Sequence, residues 1–267
     1  MDTKTIVLAG SNADRQSLRA SLENVPGSNI QLLDLDMASL ATVPPKSVAW
    51  VVVAIGPSTD SKLLNAACSH FDPHQIIAVF AQPTADDAAL SLRLGALGML
   101  RSKTAPQDIE KLLNAADAPG TLAPTRCSNL SFTVDGNASS QGRAAQILED
   151  FLTQYPLPSS QIVPHVVTCC YEALANALEH GHKGDENLPI DIDFSIHDAI
   201  LQLSITHHGD RFDPSSIPTA PPEPDPTQLG GRGLLIMRAF MDDVWWERDG
   251  RQCVSKKSIE CHERKEL

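Results

Sequence analysis

No apolar run in this 267-residue chain approaches the roughly 20 residues needed to cross a bilayer. The opening MDTKTIVLAGSNADR has neither a signal-type hydrophobic stretch nor a cleavage site. The expectation is a cytoplasmic protein with no membrane association. Basic residues are also short: 21 Lys and Arg against 33 Asp and Glu give a formal net charge of −12. Such a surface repels nucleic acid and anionic lipid alike, so direct nucleic-acid binding is not expected. Any effect on transcription would run through another protein. The six cysteines (Cys68, Cys127, Cys169, Cys170, Cys253, Cys261) form no CxxC pair and no zinc spacing, which points to reduced, mostly buried thiols. A GxGxxG turn is missing after the first strand pattern, where AGSNAD stands, so backbone there is not shaped to approach a pyrophosphate.

What is present is 42% hydrophobic residues, enough to build two ordinary domains or one large one. In the first half, short β-rich apolar runs alternate with helical patterns. TIVLA precedes ADRQSLRASLEN; IQLLDL follows; AWVVVAI precedes SKLLNAACSHF; QIIAVFA precedes DDAALSLRL; GML precedes PQDIEKLLNAA. Five strand patterns interleaved with helices predict a flavodoxin-like, doubly wound parallel sheet. The last helix pattern, with Pro106 in its first turn, fades into ADAPG near Gly120, a natural boundary.

The second half changes character. LSFTVDG reads as a strand, Ala138 to Tyr155 as a helix, and YEALANALEHGH sits in a further helix entered from SSQIVPHVV. Glu172, Asn176 and His180 are four positions apart, a spacing that aligns them on one helical face, while Leu174, Ala177 and Leu178 are left to pack. IDIDFSI and AILQLSITHH alternate as a hairpin across HDA. The Pro- and Gly-rich GDRFDPSSIPTAPPEPDPTQLGGRG cannot be regular helix or sheet and predicts a long loop. LLIMRAFMDD reads as a helix, VWWERDG and RQCVSKKSI as strands, completing an α+β sandwich. Trp245 and Trp246 fit a strand half buried and half exposed. His180, His182, His207 and His208 match no familiar metal-ligand arrangement, and no cysteine lies at a useful offset.

Two resemblances follow from these motifs. The element order of residues 1–118, with LGALGMLRSK at 94–103, resembles the response-regulator receiver domain. That family needs a carboxylate pair for magnesium, a phosphate-accepting aspartate, a hydroxyl and a lysine. The aligned positions here are Gly10 and Ser11, Ala54, Phe80, and Ser102 with Lys103 one place late. Gly and Ser side chains do not hold magnesium and alanine forms no acyl phosphate. The resemblance therefore implies a pseudo-receiver, an interaction module and not a phosphorylation switch.

In the second half, EALANALEHG at 172–181, HHGDRFDP at 207–214 and GGRGLLIMRAFMDDV at 230–244 are similar in order and spacing to the N, G1 and G2 boxes of the GHKL ATPase superfamily. The resemblance spans residues 125–260, with 119–136 as linker and first strand, and implies a GHKL/Bergerat-type α/β sandwich. It is strongest toward the anti-sigma factor serine kinases of partner-switching systems. A histidine kinase fits less well, because no phosphoacceptor helix precedes the N box. The resemblance implies ATP and magnesium as cofactors. Asn176 would coordinate the magnesium that bridges the phosphates, and Glu172 would be the general base toward a serine or threonine hydroxyl. Gly230, Gly231, Arg232 and Gly233 would meet phosphate at a helix start. His180 would touch phosphate or cap its helix, and His207, Gly209 and Phe212 would lie in the G1 box around the base. His207 stands where the family has an aspartate that accepts from the adenine amino group. A neutral imidazole accepts without charge, which predicts about 1–2 kcal/mol weaker binding, roughly tenfold. The implied partners are a sigma factor and a small antagonist phosphorylated on Ser or Thr. A homodimer is compatible with the resemblance, and the alternative is a non-catalytic adaptor that retains only the docking surface.

Overall fold

The computed structural model describes residues 4–11, 15–16, 18–19, 22–23, 30–36, 38–56, 62–102, 128–211 and 233–259. The chain divides into two compact units, Met1–Phe132 and Thr133–Leu267.

The first unit is built on β1 (Lys4–Ala9), β2 (Ile30–Leu35), β3 (Trp50–Ile55), β4 (Ile76–Phe80) and β5 (Gly98–Arg101). These occupy the five strand patterns, in the order β2-β1-β3-β4-β5 with all four pairings parallel. Every residue of β3 and β4 is buried, as expected of strands covered on both faces. Of the covering helices, α1 (Lys62–His70) buries Leu63, Leu64 and Ala67. Helix α2 (Ala85–Leu94) begins at a capping box: Thr84 Oγ1 accepts from Asp87 N–H, and Asp87 Oδ2 accepts from Thr84 N–H at 2.9 Å. It stops at Gly95, whose φ of 75° lies in the left-handed region that ends helices. The helix pattern after Pro106 lies outside the described residues.

The second unit holds a sheet in the order β6-β7-β8-β10-β9: β6 (Asn129–Asp135), within which the division falls, β7 (Pro189–His197), β8 (Ile200–His207), β9 (Asp243–Glu247) and β10 (Gln252–Ser258). β7, β8, β10 and β9 pair antiparallel in that succession. Along β7, Ile190, Ile192, Phe194 and Ile196 are buried and the residues between them are not, so one face takes the helices. Helices α3 (Ala138–Leu152) and α4 (Ile162–Asn176) supply that cover. Phe151 of α3 lies 6.1 Å, ring to ring, from Phe194. α4 packs between α3 and α5 (Gly233–Phe240), with His165 stacked on Phe240 at 4.0 Å.

Three boundaries differ from the sequence reading. α3 ends at Leu152, three residues early, because Thr153, Gln154 and Tyr155 close in tight turn bonds ahead of Pro156. The hairpin turn is the two residues Asp198 and Ala199, both at positive φ (49° and 56°), the primed geometry that matches strand twist. The RDG of VWWERDG is not strand. Arg248, Asp249 and Gly250 turn at φ of 51°, 56° and 82° and feed β10.

Candidate functional site

Glu172 and Asn176 lie one turn apart on α4, both half-buried, and neither side chain hydrogen-bonds another described residue. Beyond Asn176 the helix widens. His182 N–H donates to the Ala177 carbonyl five residues back at 2.9 Å, and Gly184 N–H to Leu178 at 3.0 Å. This π turn covers Ala177–Gly181, a distortion that is frequent at functional sites. The expected four-residue register therefore carries Glu172 and Asn176 but not His180, which the wide turn displaces and leaves exposed. The Gly181 carbonyl accepts from Asp210 N–H at 2.8 Å, tying the helix end to the segment after β8.

That segment brings His207 and Gly209 onto the same spot. The imidazole of His207 is 6% exposed and lies against Gly181, where any Cβ would strike the ring. A Cβ on Gly209 would in turn strike the Gly181 carbonyl. These are glycines required by close approach. His182, also buried, stands edge-on to His207 with centroids 5.7 Å apart. Both nitrogens of His182 and Nδ1 of His207 are buried without a hydrogen-bond partner among the described residues. Burial, with the neighbouring His182 ring second, pushes His207 down to about 4, and burial lowers His182 as well. Both rings are neutral at neutral pH. His208 turns away to Asp191 (2.9 Å), whose other oxygen accepts from Thr133 Oγ1 at 2.7 Å.

The third segment arrives at the start of α5. A Cβ on Gly233 would strike Glu172 Oε2, so the carboxylate lies beside the helix N-terminus, where the backbone dipole favours an anion. Phe212, Gly230, Gly231 and Arg232 lie outside the described residues. Among those described, the three motif segments converge through two contacts: Glu172 with Gly233, and Gly181 with His207 and Gly209. Sequence reading missed Arg251, which braces this site from the β9–β10 turn: its carbonyl accepts from His207 N–H at 2.9 Å and its Nε donates to the Gly209 carbonyl at 3.0 Å. Nothing in RDGRQ marks it. Cys169 and Cys170, which are buried, and the half-buried Cys253 offer no nucleophile: desolvation pushes all three thiols up to about 12 and they stay protonated.

In the first unit, Gly10 and Ala54 meet directly. A Cβ at residue 10 would come within 2.7 Å of the Ala54 carbonyl. Phe80 is buried at the end of β4, and Ser102 N–H donates to its carbonyl at 2.8 Å. The strand ends are closed by backbone and apolar contact. Lys103 lies outside the described residues.

Residues 137–255 match the family model of the histidine kinase-like ATPase domain. The match lies within the second unit and covers less than half of the chain. The chain is similar to "Serine-protein kinase RsbW" of Oceanobacillus iheyensis, 35% identical over 27% of this chain and 50% of that protein. It is also similar to "Anti-sigma F factor" of Priestia megaterium, 28% identical over 43% of this chain and 79% of that protein. A third relative, "Anti-sigma F factor" of Clostridium perfringens, is 25% identical over 46% of this chain and 90% of that protein. The chain spans about half the length of the first of these relatives. Among solved structures, the RcsB response regulator of Salmonella typhimurium is 20% identical, with the match covering 47% of this chain and 66% of that one at a TM-score of 0.37. No helix among the described residues is long and apolar enough to cross a membrane.

Proposed function

We propose that this chain is an anti-sigma factor of the partner-switching kind, whose ATPase domain (residues 125–260) acts as a protein serine/threonine kinase, preceded by a pseudo-receiver domain over residues 1–118. The observation that carries the reading is the convergence of α4, the end of β8 and the start of α5, three segments far apart in sequence, at the residues the motifs single out. The similarity to kinases and anti-sigma factors supports it.

The residues present suit ATP and magnesium. The Asn176 side-chain oxygen is a hard donor with no competing bond among the described residues, fit for a hard cation. When bound, magnesium would neutralise charge on the phosphates. Gly233 opens α5 with no side chain in the way, and its neighbours Gly230, Gly231 and Arg232 would extend that anion-binding end. His180 would reach the phosphates from the π turn. His207, Gly209 and Phe212 would enclose the base. Glu172 Oε2 would orient a substrate hydroxyl and take its proton as the oxygen bonds to the γ-phosphorus and the bond to the β-phosphate breaks.

The partners would be a sigma factor, held by the ATPase domain, and a small antagonist that receives phosphate. The acidic surface suits protein partners in the cytoplasm, and a homodimer is compatible with both roles. A second reading, the non-catalytic adaptor, is favoured by one observation: Glu172 lies against the α5 N-terminus, where it can serve as a helix partner instead of a base. The two part on Glu172→Ala. An antagonist captured on the immobilised full-length chain should gain phosphate on Ser or Thr from MgATP with wild type and not with the variant, capture being equal. Equal labelling by both would refute the catalytic role, and capture without labelling by either would favour the adaptor.

A further inference from the structure

Helices α4 and α5 run antiparallel and touch at two levels. His165 stacks on Phe240 at one, and Glu172 meets Gly233 at the other. Residues 165 to 172 on α4 and 240 back to 233 on α5 span the same interval, two helical turns or about 10 Å, so the two contacts are in register. The packing that seats the ring pair therefore also fixes the Glu172 carboxylate. A Cβ at residue 233 would strike Oε2 and would lie 3.3 Å from the carboxyl carbon and 3.7 Å from the Glu172 Cβ. The whole side chain thus lies along the first residue of α5, in room that only glycine leaves. Glu172 makes no hydrogen bond or ion pair with another described residue, so the positive end of the α5 dipole is what offsets its charge there.

A phosphate held by the same helix start would stand where this carboxylate stands, since both are drawn by one dipole and one set of backbone N–H groups. Two anions in one half-buried place repel, so this arrangement and a bound phosphate exclude each other. We propose that Glu172 is an internal counterpart of the nucleotide phosphate: its carboxylate holds the start of α5 until phosphate displaces it, and only the displaced carboxylate is free to take a proton. The proposal rests on the reading that α5 meets phosphate and that Glu172 is the base. It joins the two roles open to Glu172, helix partner and base, as successive states of one side chain. The consequence is a base that stays engaged with α5 unless a phosphoryl group is at hand. Nucleotide affinity is then reduced by the fraction of chains in which the carboxylate must first leave.

The test compares the full-length chain with Glu172→Gln, which keeps the shape and removes the charge. MgADP is the probe, because no phosphoryl transfer consumes it. Without nucleotide, backbone hydrogen exchange in the peptide covering the start of α5 should be about threefold faster in the variant. With saturating MgADP the two proteins should exchange alike, since phosphate then holds the helix in both. Calorimetry should show the variant binding MgADP at least about threefold more tightly than wild type. If Glu172→Gln does not fold, Glu172→Asp, which draws the charge back by one methylene, is read by the same exchange and should also be faster. Equal exchange without nucleotide, a difference that persists under saturating MgADP, or binding no tighter in the variant overturns the proposal and leaves the nucleotide site standing. Failure of wild type to bind MgADP at all overturns that site and the proposal together.

Discussion

Acid should weaken the second unit through His207 before it reaches any carboxylate. The ring is buried and neutral in the folded chain, at about 4, while an unfolded histidine titrates near 6.5. Below 6.5 the unfolded chain therefore binds a proton that the folded chain refuses, so stability is fully present above pH 6.5 and is lost as pH falls toward 4. At about 1.4 kcal/mol per pH unit, that window is worth about 3 kcal/mol, a large part of the total for an ordinary domain. His182 is lowered by burial too and works in the same sense. The perturbation is His207→Gln, which keeps a polar side chain and removes the titration. Urea unfolding would be followed by fluorescence in a Trp50→Phe background, leaving Trp245 and Trp246 to report on the second unit. Between pH 6.5 and 4 the parent should lose about 3 kcal/mol more than the Gln variant. Carboxylates such as Asp210 and Asp242, both held below the usual range, cancel in that difference. Parallel pH slopes in the two proteins would refute the buried neutral ring.

The close-packed glycine makes a steric prediction: Gly181→Ala should cost about 2 kcal/mol or more in unfolding free energy, because its Cβ meets the His207 ring. The opposite sign is expected at the hairpin, where Ala199 sits at a φ of 56°; Ala199→Gly should raise the midpoint of thermal unfolding, by about 0.5–1 kcal/mol of stability. In the first unit, Gly10→Asp should fail to create a phosphoryl-binding site and should destabilise instead, since its Cβ abuts the Ala54 carbonyl. A gain of beryllofluoride-dependent stabilisation in that variant would contradict this account.

The layered α/β architecture was legible because the strands of the first unit are continuous apolar runs and those of the second alternate, as in PIDIDFSIH, and both patterns follow directly from which faces are covered. Glu172 and Asn176 were legible for the same reason: one helical turn separates them. His180 was not, because a π turn follows from where Gly181 must place its carbonyl, a constraint set by Asp210 some thirty positions on. The bracing of His207 by Arg251 was hidden altogether. It depends on the register of β8 against β10, Thr206 opposite Gln252, and on a turn with two non-glycine residues at positive φ, which local propensity argues against. The pairing of His182 with His207 was visible only as two histidine-containing segments, and it took the tertiary fold to bring them edge to face.

The most direct test of the central claim is titration calorimetry of MgATP into the full-length chain, wild type beside Asn176→Ala. The account predicts saturable binding by wild type that Asn176→Ala abolishes, with circular dichroism and unfolding midpoint unchanged because the amide makes no bond to another described residue. Absence of heat for wild type, or equal binding by the variant, would contradict it.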